Sequence, residues 1–156
     1  MRHSYNPHTI LLMPNATDRW VPMPAVPGDQ TEPGLIVYRF NSDLFYANAG
    51  RFADEVRLLV KRAPTPVRWF IVDAGPITDI DYSAVQSVRD LLDDLAHQGV
   101  GIVFARVSPY LRSDMDRHRI TMAIGETRVF TTLHEAIAAV RGGALEAPVE
   151  RRDIPD

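Results

Sequence analysis

The chain has 156 residues, 46% of them apolar and 24% charged, with a net charge of −3 and no cysteine. That is the make-up of one ordinary folded domain, and it excludes collagen-like, coiled-coil and wholly disordered chains, disulfide frameworks, thiol catalysis and cysteine-based zinc sites. No run reaches the roughly 18–20 apolar residues that span a bilayer, no leader pattern opens the chain, and the charge gives no general pull toward nucleic acid.

Residues 1–33 contain Pro7, Pro14, Pro22, Pro24, Pro27 and Pro33 and show no sustained period of 3.6 or 2. Proline at that density removes backbone donors and fixes φ, which predicts an extended or irregular flank. Within it, Ile10-Leu11-Leu12-Met13 and Trp20 are apolar enough to dock on a folded surface. Leu35 to Phe40 is rich in β-branched and aromatic residues and predicts the first strand. Leu44-Phe45-Tyr46 is a shorter apolar run.

Phe52, Val56, Leu59 and Val60 then recur at helical spacing, with Asn48 as the expected N-cap and Pro64 and Pro66 as the stop. Val67 to Val72 predicts a buried strand. A second helix carries Ala84, Val85, Val88, Leu91, Leu92 and Leu95 on one side, with Arg89, Asp90, Asp93 and Asp94 on the other, and Gly99 suits its end. Val100 to Ala105 predicts another buried strand, Pro109 to Ile120 a helix, and Arg128 to Thr131 a short strand. Thr132-x-x-Glu135 opens a last helix with Leu133, Ala136, Ile137 and Val140 on its apolar face. Beyond it, residues 142–156 are charged and poor in large apolar groups, as in a mobile tail. Strands separated by helices of this length predict an α/β layer structure with a largely parallel sheet.

Catalytic signatures are absent. There is no Gly-Lys-Ser/Thr phosphate loop, no dinucleotide fingerprint, no Gly-x-Ser-x-Gly elbow, and no histidine pair at i, i+4. Asp73 closes a strand, and Asp79 and Asp81 lie in the loop before the second helix, where α/β sheets commonly bind ligands. Two acids there could hold Mg²⁺ beside a substrate phosphate, as in a small metal-dependent phosphohydrolase; capping of turns and of the helix is the simpler reading. Ser83, beside Asp81, is a cap by the same logic, or a modification site whose phosphate would meet a helix N-terminus. Arg106, Arg112, Arg117 and Arg119 form the one basic cluster, suited to an acidic partner, anionic headgroups or nucleotide phosphates.

Four segments in order carry a resemblance: Pro33 to Phe40, Asp43-Leu44-Phe45-Tyr46-Ala47-Asn48-Ala49, Ile77-Thr78-Asp79-Ile80-Asp81-Tyr82-Ser83-Ala84, and Gly125 to Phe130. Together they resemble the STAS domain (sulfate transporter and anti-sigma factor antagonist) of SulP-type anion transporters. Asn15 to Trp20 is similar to the linker that follows the last membrane helix in such transporters.

The resemblance implies an α/β fold with a mixed, mostly parallel sheet of about four to five strands, about four helices and flexible tails. Residues 1–33 would be the linker from a transmembrane domain missing from this chain, 34–141 the STAS domain, and 142–156 a disordered tail. It implies a non-catalytic regulatory module of a sulfate or other anion transporter at the cytoplasmic face of the membrane, with no metal site and no nucleic-acid partner. Its implied partners are the transporter's own transmembrane domain, a cytosolic protein, and guanine nucleotide (GTP or GDP, with or without Mg²⁺). The implied binding residues are Phe45, Tyr46, Asn48, Asp79, Asp81 and Ser83, with Arg112, Arg117 and Arg119 as a secondary basic patch. The alternative within the family is a free-standing antagonist-like switch phosphorylated on Ser83. In that branch's motif Asp81, Ser83 and Ala84 fall on the Asp, target Ser and Gly positions, and Tyr82 replaces a hydroxyl residue.

Overall fold

Alternation along three apolar strands sets the architecture. In the computed structural model, which describes residues 8–17 and 19–149, strands β3 (Leu35–Phe40), β4 (Trp69–Asp73) and β5 (Gly101–Ala105) run parallel, with Leu35, Trp69 and Gly101 in register. Ile36, Tyr38, Phe40, Phe70, Val72, Ile102 and Phe104 point to one face, into the core shared with helices α1 (Tyr46–Lys61) and α2 (Tyr82–His97). Leu35, Val37, Trp69, Ile71, Val103 and Ala105 point to the other, where α5 (Leu133–Arg141) packs. Burial on both faces is why these strands read as continuous apolar runs. The apolar stripe expected on α2 is buried in full, from Ala84 to Leu95. Val100 donates back to the Leu95 carbonyl around Gly99, whose φ of +76° closes that helix.

The proline-rich flank departs from expectation. Thr9–Pro14 (β1) and Trp20–Pro24 (β2) form an antiparallel hairpin, and β1 pairs with β3, so the sheet order is β2-β1-β3-β4-β5. Two features override the prolines. Pro22 and Pro24 sit at alternate positions of an edge strand, leaving Val21 and Met23 to serve the ladder. Leu11 is fully buried, and Leu12 and Trp20 pack against the α5-side core. Asn15 shapes the turn, its side-chain oxygen accepting from the Thr17 and Arg19 amides at 3.0 Å.

Three local expectations are also revised. Phe45, not Asn48, caps α1; Asn48 lies in the first turn and folds back, accepting from the Phe45 amide at 2.9 Å. The helix expected over 109–120 breaks into α3 (Pro109–Arg117) and α4 (Ile120–Ile124) because Arg119 adopts a left-handed φ of 60°, making five α-helices among the described residues. Arg128 to Thr131 makes a single bridge, Val129 to Phe104, after a 3-10 turn at Glu126–Arg128, instead of a strand. Phe130 donates to the Phe104 carbonyl and Val107 to that of Phe130, so the outer edge of β5 is covered.

Residues 142–149 have no helix or strand, but Leu145 and Ala147 pack against the α5-side core, so this part of the expected tail is attached. Residues 1–7, Asp18 and residues 150–156, parts of the expected linker and tail, lie outside the described residues.

Because Leu11 is fully buried, Leu11→Ala should cost about 2–5 kcal/mol, the usual loss for such a truncation in a core. Urea unfolding measures this. A loss near zero would mean that the hairpin is a detached linker.

Candidate recognition surface at the carboxyl edge of the sheet

The loops that follow β3 and β4 are stitched together. Leu44 and Ile80 form a parallel bridge, with the Leu44 amide donating to Asp79 O (3.2 Å) and the Asp81 amide donating to Leu44 O (2.9 Å). Beside it, one oxygen of Asp43 accepts from the Thr78 amide (2.6 Å), the Thr78 hydroxyl (2.9 Å) and the Asp79 amide (3.2 Å). The stitch brings the starts of α1 and α2 into one corner, and with them the six expected residues Phe45, Tyr46, Asn48, Asp79, Asp81 and Ser83.

Their roles divide. Asn48 is buried and fully engaged, its amide nitrogen donating to Ser42 Oγ (3.2 Å) and Asp43 O (2.8 Å), so it builds the corner and cannot meet a visitor. Phe45 and Tyr46 are 44% and 82% exposed. Tyr82, at the start of α2, and Tyr110, at the start of α3, are 79% and 77% exposed. One tyrosine therefore stands near the start of each helix that follows β3, β4 and β5, a rim of aromatic side chains on one edge of the molecule.

The acids hold the corner to α3. When protonated, the Asp79 carboxyl donates a hydrogen bond to the buried carboxyl of Asp114. That bond holds Asp79 above the usual carboxylate range, with partial desolvation and the charges of Asp114, Asp43 and Asp81 acting the same way. It holds Asp114 below that range against its burial, helped by the Ile80 amide and by Arg117 and His118, and Arg117 also forms an ion pair with Asp114. Asp81 occupies the N-cap position of α2 without capping it; its carboxylate accepts from the Ser83 hydroxyl at 2.9 Å instead. The phosphates of a nucleotide would meet three carboxylates here, those of Asp43, Asp79 and Asp81.

The basic patch is split. Arg112 pairs with Asp116 at 2.9 Å on α3. Arg117 and Arg119, with His118 between them, turn toward α2 and share an open hollow of about 410 Å³ with Ser83 and Arg89. Two places that the sequence kept apart, the Ser83 loop and the arginine helix, are thus one. Asp73 stands elsewhere, 1% exposed, with Arg39 at 3.0 Å, Arg106 at 3.1 Å and the Gly75 amide at 3.0 Å. A Cβ at position 75 would push the Arg106 guanidinium off Asp73. With both oxygens held by arginines, Asp73 is committed to the frame and is not a partner of Asp79 and Asp81 in metal chemistry. Among the described residues, no group of three acids or histidines is arranged to hold a metal ion, and no helix is long and apolar enough to cross a membrane.

Residues 27–136 match the family model of the STAS domain. The chain belongs to the STAS domain family. A probable sulfate transporter of Mycobacterium tuberculosis is 33% identical to this STAS domain over 109 residues, 70% of the chain and 20% of that relative. The chain thus spans about a fifth of the length of the curated relatives that it matches. Its fold is shared with the murine Slc26a9 anion transporter in the inward-facing state (TM-score 0.69, 17% identity, 88% of this chain and 22% of that one). It is also shared with a putative anti-sigma factor antagonist of Thermotoga maritima (TM-score 0.59, 14% identity, 69% and 88%).

Sequence reasoning missed Arg89, His118 and Tyr110 as members of this STAS domain's exposed corner. Tyr82, Gln86 and Arg89 recur at i, i+4 and i+7, which places them on one stripe of α2, but the pattern reads equally as a solvated face.

The raised Asp79 favours the folded chain when protonated, and that contribution is lost as pH rises through its folded pKa. Asp79→Asn removes the ionisation and keeps a donor toward Asp114. The variant should therefore melt higher than wild type at neutral pH, and the difference should vanish in acid, as thermal unfolding at several pH values would show. A variant less stable at neutral pH than wild type would contradict the upward shift of Asp79.

Proposed function

We propose that this STAS domain is a regulatory, non-catalytic module of a sulfate or related anion transporter, lying at the cytoplasmic face of the membrane. It acts by docking its aromatic rim against the transporter's own membrane-embedded part. The observation that carries this reading is the fixed display of Phe45, Tyr46, Tyr82 and Tyr110 on one edge, in a chain a third identical to part of a probable sulfate transporter. Large aromatic side chains left in water are costly unless something covers them, and tyrosine is among the residues that most often anchor interfaces. Binding is favoured over turnover because the nearby polar groups are already spent on the frame: Asp43 on the Thr78 loop, Asn48 on Ser42, Asp43 and Phe45, Asp73 on two arginines.

The test uses the complete transporter encoded with this domain. Tyr46→Ser combined with Tyr82→Ser should lower sulfate uptake several-fold at equal membrane abundance, since each lost anchor weakens docking by about 2 kcal/mol. The same pair in the 156-residue chain should leave its melting temperature unchanged, because both side chains are exposed. Wild-type uptake by the double variant would contradict the reading.

A further inference from the structure

We infer that the hollow between α2 and the α3–α4 break is a binding site for a tetrahedral oxyanion, a phosphate or sulfate group either free in solution or carried on a phospholipid headgroup. It lies beside the aromatic rim, shares only Tyr82 with it, and does not depend on docking. The hollow measures about 410 Å³, and Arg89, Arg117, His118 and Arg119 line it together with Ser83. Among the described residues, no carboxylate lines it.

The charges are poised for a dianion. Arg117 is paired with Asp114, whereas the side chains of Arg89 and Arg119 have no hydrogen-bond or ion-pair partner among the described residues. Two guanidinium groups from separate elements, facing one cavity, repel each other, and a doubly charged oxyanion relieves that repulsion through charge-assisted hydrogen bonds. The backbone is bent to this end. Arg119 holds a φ of 60°, a left-handed conformation that residues other than glycine, asparagine and aspartate adopt rarely, and that bend ends α3 and sets Arg117, His118 and Arg119 opposite α2.

A second feature converges on the same space. Asp81 gives its carboxylate to the Ser83 hydroxyl and makes no cap to the backbone, so the first-turn amides of α2, beside the hollow that Tyr82 and Ser83 line, lack a side-chain acceptor.

The test follows amide shifts of the ¹⁵N-labelled 156-residue chain as inorganic phosphate or sulfate replaces chloride at constant ionic strength, so that screening stays fixed. The expected result is saturable change confined to residues 83–89 and 117–120. In the double variant Arg89→Gln with Arg119→Gly, binding should weaken about tenfold or more, the scale of one lost charge-assisted bond. Glycine suits the left-handed backbone at 119, so an unchanged melting temperature separates lost binding from lost fold. Vesicles of phosphatidylcholine with and without phosphatidic acid form the second arm. Capture by the acidic vesicles alone, abolished in the double variant, assigns the group to a lipid headgroup; saturation by free ions without capture assigns it to solution. No saturation together with no capture, or binding that the double variant leaves intact, overturns the site. Since this assay contains no membrane domain, its failure is distinct from a failure of docking.

Discussion

One aspartate oxygen with three donors holds the functional edge of this molecule together. Asp43 accepts from both the amide and the hydroxyl of Thr78 and from the Asp79 amide, and the Leu44–Ile80 bridge runs beside it. Hydrogen bonds to an ionised acceptor are roughly twice as strong as neutral ones, and here they join loops 35 residues apart in sequence. From the other side, Asn48 ties residues 42–45 to the first turn of α1. Asp79, fixed by Asp43, reaches Asp114 on α3. The starts of three helices are therefore set relative to one another before any partner arrives, and the tyrosines that they carry are presented without further loss of backbone freedom.

Charge is sorted by use. Carboxylates that are buried or crowded (Asp43, Asp73, Asp79, Asp114) are consumed in building: they hold loop amides, arginines or one another. Arg89 on α2 and Arg119 before α4, whose side chains have no partner among the described residues, face an open hollow. The arrangement here suits recognition, with an apolar rim for a macromolecular surface and a cationic hollow for an anion beside it.

Much of this was legible in the amino-acid order, and the rest was hidden for physical reasons. Strands buried on both faces and helices with a single apolar stripe announce themselves, as β3 to β5 and α2 do. The hairpin did not, because its prolines argue against a strand unless the strand is known to be an edge, and edge position follows from tertiary pairing with β3. Asn48 was misplaced as a cap because Phe45, a residue with no capping atom, holds that position while Asn48 reaches back to it. The break at Arg119 carries no glycine or proline to mark it. The loop corner around Ser83 was found, but its union with Arg117 and Arg119, and the part of Arg89, depend on how α2 packs beside α4, which spacing along one helix cannot reveal.

The central claim is that the Asp43 stitch makes the two loops a single rigid surface. Amide hydrogen exchange tests it most directly, comparing wild type with Asp43→Ala. The account predicts slow exchange at Thr78, Asp79 and Asp81 in wild type and fast exchange at these three in the variant, with Val72 and Val103 in the core strands slow in both. Fast exchange at the three loop amides in wild type, or protection that survives the loss of the carboxylate, would contradict it.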